Sequence, residues 1–406
     1  HPRGRSQMST IRSSLDIERA VARVNTSAIQ RNCQRLRSEL RDGVLLCAVV
    51  KADGYGHGLL ESAHAALLGG AGWLALASVD EASALLDEVR APLLVLGPVR
   101  PLDVERAVAC DLELVAWHEE LVHHAADLAA ELGKSARIHV KLDTGMGRFG
   151  VREHERASRV VAAAAASSHV ELVGVMTHFA TADRPGDDFF AEQLQRFATW
   201  AAEVKRQHPH VLAHAANSAA LLRDPAAHFD MVRCGIAIYG MDPFGHDPLA
   251  QGLEPALELR SYVATVKLCR AGESTGYGRR FIAPSDTHLG LLPIGYGDGW
   301  RRGLSGNADV LIAGRRHPLV GTVSMDSVAV DLGPDPAAAH ALLDQPAVLI
   351  GRQGEERILA EDLARRLDTI NYEITCGLGP RVARVYREDD GTGADHYPTV
   401  RPVGEA

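Results

Sequence analysis

The sequence predicts an α/β plus β architecture: an N-terminal (β/α)8 TIM-type barrel followed by a mostly antiparallel β-strand C-terminal domain. Two observations predict it. Short apolar runs of strand length recur eight times between residues 45 and 232, with helical patterns between most of them. Unbroken apolar runs are what strands buried on both faces require, and eight βα units match a closed barrel better than the rival doubly wound sheet. Beyond Leu253 the texture changes to short alternating runs separated by turn signals, the pattern of antiparallel strands.

In order, Asn25 to Leu40 carries helical spacing (Ile29, Cys33, Leu36, Leu40) behind Asn25 and Thr26, either of which can cap it. The strand-like runs are 45–50, Trp73–Ala77, Leu93–Leu96, Leu112–Trp117, Ile138–Leu142, Leu172–Met176, Val211–Ala215 and Phe229–Val232. Helical patterns cover Asp80–Val89, His118–Leu132, His154–Ala166 and Asp187–Lys205. In the second part the runs are Leu257–Lys267, His288–Pro293, Val310–Ile312, Val328–Val330 and Val348–Ile350, then a helix at Ala360–Leu367 and a strand at Val382–Tyr386. Domains are therefore expected at 21–253 and 254–387. Residues 1–7 read as an expression-tag remnant before Met8, and 388–406 as a Gly/Pro-rich tail.

A net charge of −9 argues against nucleic acid as a partner, and 46% hydrophobic with 23% charged residues is ordinary for a globular protein. No apolar run approaches the length of a membrane span, and the start lacks the apolar core of a signal peptide. The six cysteines show no C-x-x-C spacing, and three lie in apolar runs, the habit of reduced, buried thiols. The chain is expected to be cytoplasmic, with no metal and no membrane partner.

One stretch organises the rest: Leu45-Leu46-Cys47-Ala48-Val49-Val50-Lys51-Ala52-Asp53-Gly54-Tyr55-Gly56-His57-Gly58. Lys51 ends an apolar run, where α/β folds place their chemistry, and the glycines after it let the backbone approach a ligand. Beside an apolar wall its charged form is disfavoured and its amine becomes a usable nucleophile. The alternative is a lysine whose stem merely snorkels to solvent. Other strand ends carry Lys141-Leu-Asp-Thr-Gly-Met-Gly147-Arg148, Thr177-His178, His214-Ala-Ala-Asn217-Ser218 and Arg233-Cys-Gly235-Ile236. Each has a plainer reading: a structural histidine, a helix cap at Asn217-Ser218, a surface ion pair for Arg233.

The string Val-Val-Lys51-Ala-Asp-Gly-Tyr55-Gly-His-Gly resembles the cofactor-lysine signature of the alanine racemases, fold-type III enzymes that use pyridoxal 5′-phosphate. Strings similar to further family motifs follow in family order: Gly276-Tyr277-Gly278, Ile294-Gly-Tyr296-Gly-Asp298-Gly and Gly321-Thr-Val-Ser-Met325-Asp326. The resemblance covers about Val21 to Tyr386 and implies interconversion of L- and D-alanine, supplying D-alanine for peptidoglycan. It implies a two-base mechanism, with Lys51 on the D face and Tyr277, from the partner subunit of a head-to-tail homodimer with shared active sites, on the L face. It places Tyr55, Ser218, Gly235 and Ile236, beside Asn217, at the cofactor phosphate. Arg233 faces the pyridine nitrogen, with His178 and His214 orienting it, and Arg148 lies near the ring oxygen and the substrate carboxylate. Lys141 matches a lysine often carbamylated and bonded to that arginine. Met325 offers its amide to the substrate carboxylate in the loop that holds Asp326, and Tyr296 lines the entrance.

Arginine stays protonated, so a ring nitrogen bonded to Arg233 stays unprotonated, and a proton removed from Cα is more readily returned there. That favours racemisation over transamination. Pro380 stands where several relatives carry a phosphate-contacting tyrosine, and Ser324 where a cysteine is frequent. The roomier position at Pro380 keeps a racemase of broader or serine specificity as one alternative. A fold-type III decarboxylase is disfavoured by Arg233. A non-catalytic single-barrel pyridoxal-phosphate-binding protein is disfavoured by the second domain.

Overall fold

The computed structural model describes residues 19–389, which divide into two compact units, 26–254 and 19–25 with 255–389. The first is a closed barrel of eight parallel strands. They are β1 Leu45–Val49, β2 Trp73–Leu76, β3 Leu93–Val95, β4 Glu113–Ala116, β5 Ala136–Lys141, β6 Val170–Met176, β7 Leu212–His214 and β8 Met231–Cys234. Closure is direct: Leu45 pairs with Met231 and Ala48 with Cys234 across β1 and β8. All eight expected strands are present. β8 is displaced from the expected Phe229–Val232, so Arg233 sits within a strand instead of just beyond it.

Helix ends follow local chemistry. His118 caps Glu119–Leu132 by accepting the Leu121 N–H, and Gly133 ends that helix in the left-handed conformation at φ 65°. Ser78 caps Val79–Ser83, which gives way to turns well short of the expected Val89. Two further helices, Leu59–Leu68 and Pro101–Ala109, follow β1 and β3, the second opening on the proline that its first turn tolerates.

The second unit is built on a sheet ordered Thr265–Cys269, Thr287–Leu292, Val328–Gly333, Arg315–Val320, Asp309–Ile312, Pro346–Gln353, Leu257–Tyr262, Val21–Asn25, Ala383–Arg387. Every neighbouring pair is antiparallel except Val21–Asn25 with Ala383–Arg387. This corrects the expected boundary at residue 21: Val21–Asn25 belongs to this sheet, because its pairing partners lie more than two hundred residues away and local pattern cannot reveal them. The single expected run Leu257–Lys267 is two strands that part at Val263-Ala264 and pair with different neighbours. A separate two-stranded ribbon, Ser274–Thr275 with Phe281–Ile282, brackets Tyr277. The expected tag remnant and most of the expected tail lie outside the described residues.

Candidate active site

At the carboxyl end of β1 the chain does something unusual. Ala52, Asp53, Gly54 and Tyr55 all adopt left-handed backbone conformations, with φ between 53° and 58°. Such geometry costs a non-glycine residue roughly 1–2 kcal/mol, so neighbours must hold it. Glu81 accepts the Ala52 N–H at 3.0 Å and the Ala77 N–H at 2.8 Å, and Asp53 accepts the Leu59 N–H at 2.8 Å. A Cβ on Gly54 would lie 2.5 Å from the Ser62 hydroxyl, so only glycine fits. Lys51 opens this turn, half-buried at the strand end. Tyr55 leaves it buried, its ring stacked on Tyr239 at 5.0 Å, and the Tyr239 phenol donates to the Val49 carbonyl at 2.9 Å.

The Tyr55 phenol points at Gly235: a Cβ there would meet the phenol oxygen at 2.2 Å. The Ser218 hydroxyl oxygen accepts the Gly235 and Ala237 N–H groups at 3.1 and 3.3 Å, and Ile236 opens the short helix Ile236–Tyr239. Tyr55, Ser218, Gly235 and Ile236, separated widely in sequence, therefore meet. Asn217 caps the helix Ser218–Arg223: its Oδ1 accepts the Ala220 N–H at 2.9 Å, which places Ser218 at the helix start.

Arg233 is 3% exposed, which removes the surface-ion-pair reading. It donates to His214 Nδ1 at 2.8 Å, to the Thr177 and Ala215 carbonyls at 2.8 and 3.1 Å, and to His178 Nδ1 at 3.3 Å. Burial lowers its pKa to about 10, which leaves it protonated at neutral pH. Burial, then the Arg233 charge, pushes His178 and His214 well below the usual histidine range, so both are neutral. Lys141 is 4% exposed and is lowered to about 8 by burial and the nearby charges of Arg233, Arg148 and Lys51, with Asp143 opposing them. Asp143 orders the Arg148 loop by accepting the Gly145 and Gly147 N–H groups, each at 3.1 Å. One end of the barrel thus gathers Lys51, Lys141, Arg148 and Arg233 around two neutral imidazoles.

The remaining predicted residues lie in the second unit and form a cluster of their own. The Thr322 hydroxyl donates to the Tyr277 carbonyl at 2.7 Å, and a Cβ on Gly276 would meet the Thr322 nitrogen at 2.8 Å. The Tyr296 N–H donates to the Ser324 carbonyl at 3.0 Å and the Gly297 N–H to the Met325 carbonyl at 2.9 Å. Asp326 accepts from Arg381 at 2.5 Å, beside the exposed turn at Pro380. Three separate glycine-bearing strings are held together, and in the single chain they leave Tyr277 72%, Met325 51% and Tyr296 42% exposed.

Comparison with known proteins decides the family. Profiles described as the N-terminal and C-terminal domains of alanine racemase match residues 24–243 and 256–386. The chain belongs to the alanine racemase family. Similar curated proteins include the alanine racemases of Symbiobacterium thermophilum, 42% identical over 90% of this chain and 96% of that protein, and of Geobacillus stearothermophilus, 41% identical over 90% and 92%. Among solved structures, alanine racemase from E. faecalis superposes with a TM-score of 0.85 at 35% identity, covering 91% of this chain and 98% of that one. Alanine racemase from D-cycloserine-producing Streptomyces lavendulae gives 0.83 at 36%, covering 90% and 96%. The protein is therefore an amino-acid racemase.

Sequence reasoning about this racemase passed over Glu81, Tyr239, Glu113 and His139. For the last two a signal existed: an ionisable residue inside an otherwise apolar strand run is expensive unless bonded, and so has a reason to be there. Gly235 yields the first prediction. Gly235→Ala has normal φ but no room, because the facing Tyr55 ring is held by Tyr239. We expect a loss of about 1–3 kcal/mol in urea denaturation of the cofactor-free protein. An unchanged midpoint would show that Tyr55 moves aside freely.

Proposed function

We propose that this family member interconverts L- and D-alanine with pyridoxal 5′-phosphate as its cofactor, and that the D isomer serves peptidoglycan synthesis. The observation that carries the reading is the convergence of Lys51 and three further cations with the Tyr55–Ser218–Gly235–Ile236 cradle at one barrel end. The donor set fits the group: hydroxyls, a phenol and backbone amides suit a phosphate, the ε-amine of Lys51 suits an aldehyde, and the bare Cα of Gly235 lets the Tyr55 phenol come close to the cradle. When bound, the cofactor supplies an electron sink that acidifies the amino-acid Cα–H.

The chain's own residues then divide the work. Lys51 takes and returns the Cα proton on the D face. The partner's Tyr277 does so on the L face, where an acid–base group is needed opposite the first. An ordinary phenol, with a pKa of about 10, is a poor base at neutral pH; the neutral His178 imidazole and the Arg233 charge are suited to steady its ionised form. Arg148 clamps the substrate carboxylate, the Met325 amide adds a donor, and Tyr296 and Asp326 shape the approach. The 72% exposure of Tyr277, on a turn braced by Thr322, supports a homodimer in which it serves a neighbouring barrel.

All six cysteines are free thiols, and no helix among the described residues is long and apolar enough to cross a membrane. We place the enzyme in the cytoplasm on the first of these observations.

Purified protein incubated with L-alanine and pyridoxal phosphate, followed by chiral chromatography, should approach equal amounts of both enantiomers. Absence of D-alanine would sink the reading. A kcat/KM for serine matching that for alanine would instead favour the broader racemase suggested by Pro380.

Lys141 carries a further prediction. With a pKa of about 8, a substantial fraction of its amine is neutral at pH 7–8 and can add CO2, giving a carbamate and releasing a proton. The anion so formed would bond Arg148 and relieve the crowding of cations. Labelled bicarbonate should give a carbamate carbon resonance that strengthens as pH rises through about 8 and is missing in Lys141→Ala. A spectrum identical in the two proteins would exclude the modification.

A further inference from the structure

Inside the barrel a line of polar side chains runs from the amino ends of the strands to the rim. Arg137, whose side chain is 31% exposed, pairs with Glu113 at 2.8 Å. Glu113 Oε2 accepts from Trp73 Nε1 at 2.8 Å and lies 2.9 Å from His139 Nε2. His139 Nδ1 lies 2.9 Å from His214 Nε2, and His214 Nδ1 lies 2.8 Å from Arg233. Glu113, His139 and His214 are fully buried.

The protons of this chain are determined by one end. A guanidinium only donates, so His214 Nδ1 must present its lone pair. A neutral imidazole carries one N–H, which places the His214 proton on Nε2. That N–H points at His139 Nδ1, which must in turn accept, so the His139 proton is also on Nε2 and is donated to Glu113. The reverse arrangement puts two donors face to face beside Arg233. Among the described residues Arg233 has no carboxylate in contact: its acceptors are two carbonyls and two imidazoles. Arg233 thus selects the His214 lone pair at one end of the chain, and Glu113 is the acceptor that lets His139 match it at the other.

We propose that Glu113 and His139, neither of which lies at the rim, are positioning residues: they lock His214 as its Nε2–H tautomer and so hold Arg233 in place. The proposal rests on the functional reading only for what Arg233 is positioned to do. The Trp73 N–H aimed at the same carboxylate oxygen makes that point acceptor-only. Glu113→Gln can therefore keep its amide oxygen there and turn its NH2 toward Arg137, which is free to swing to Glu171, 3.5 Å away. Glu113→Leu cannot.

The test is nitrogen-15 NMR of the full-length protein labelled at histidine, without cofactor, between about pH 5 and 9, a range in which an ordinary histidine titrates. Expected at neutral pH is one protonated Nε2 and one unprotonated Nδ1 for both His139 and His214, with the His214 ring still neutral at the acid end of the range. Glu113→Gln should preserve both tautomers. Glu113→Leu should give mixed tautomers at His139, leaving the His214 Nε2–H without a steady acceptor, and, with cofactor and alanine, lower kcat/KM roughly tenfold or more, the scale on which a partner one bond removed orients a working group. A proton on His214 Nδ1, a doubly protonated ring at neutral pH, or a Glu113→Leu protein with native tautomers and native turnover would each overturn the proposal. If Glu113→Leu does not fold, the native spectrum still decides. Native tautomers as expected in a protein that racemises no amino acid would overturn the function and leave the positioning of Arg233 standing.

Discussion

Replacing Tyr277 with phenylalanine is expected to lower racemisation by roughly 10²–10⁴-fold, the contribution of a well-placed acid–base group. Its side chain is largely exposed and only its backbone carbonyl is held, by Thr322, so the fold should be untouched. The loss should be one-sided in a way that reports the geometry. If Lys51 serves the D face as proposed, the variant in heavy water should still wash deuterium into the Cα of D-alanine without inverting it. L-Alanine should exchange far more slowly. Equal exchange from both enantiomers would mean that one group serves both faces.

Lys51→Ala should abolish turnover by at least a similar factor and also loosen the cofactor, if, as proposed, one amine both anchors it and moves a proton. Dialysis followed by an absorbance spectrum separates the two effects. Retention of tightly held cofactor with an unaltered spectrum would remove Lys51 from the anchoring role. Mixing the two inactive proteins tests the shared site. If Tyr277 serves the neighbouring barrel, hybrid dimers contain one intact site, and subunit exchange at equal amounts should restore up to about a quarter of native activity. If each chain completes its own site, the mixture stays dead.

How much of this was legible beforehand depends on the range of the physics involved. Strand identity is a local property of apolar runs, so all eight barrel strands could be anticipated, and β8 was misplaced only because Phe229, left-handed at φ 48°, looks like strand by side chain alone. The place of Lys51 at the end of β1 was legible because the apolar run before it and the glycines after it are local too. The left-handed turn after it was not, since its stability comes from Glu81 on another unit of the barrel. Asn217 could be read as a cap from its type and place, and the bond from the Ala220 N–H shows that it is one.

What the amino-acid order determined by itself was the alternation of elements, the change of texture after Leu253, and the inventory of reactive side chains at strand ends. These depend on residues a few positions apart. The tertiary structure alone decided that Val21–Asn25 completes the second sheet, that Arg233 is buried with carbonyl and imidazole acceptors, and that Glu113 reaches it through two histidines. Hydrogen-bond direction along such a chain depends on every member being in place, and its members come from strands that meet only when the barrel closes.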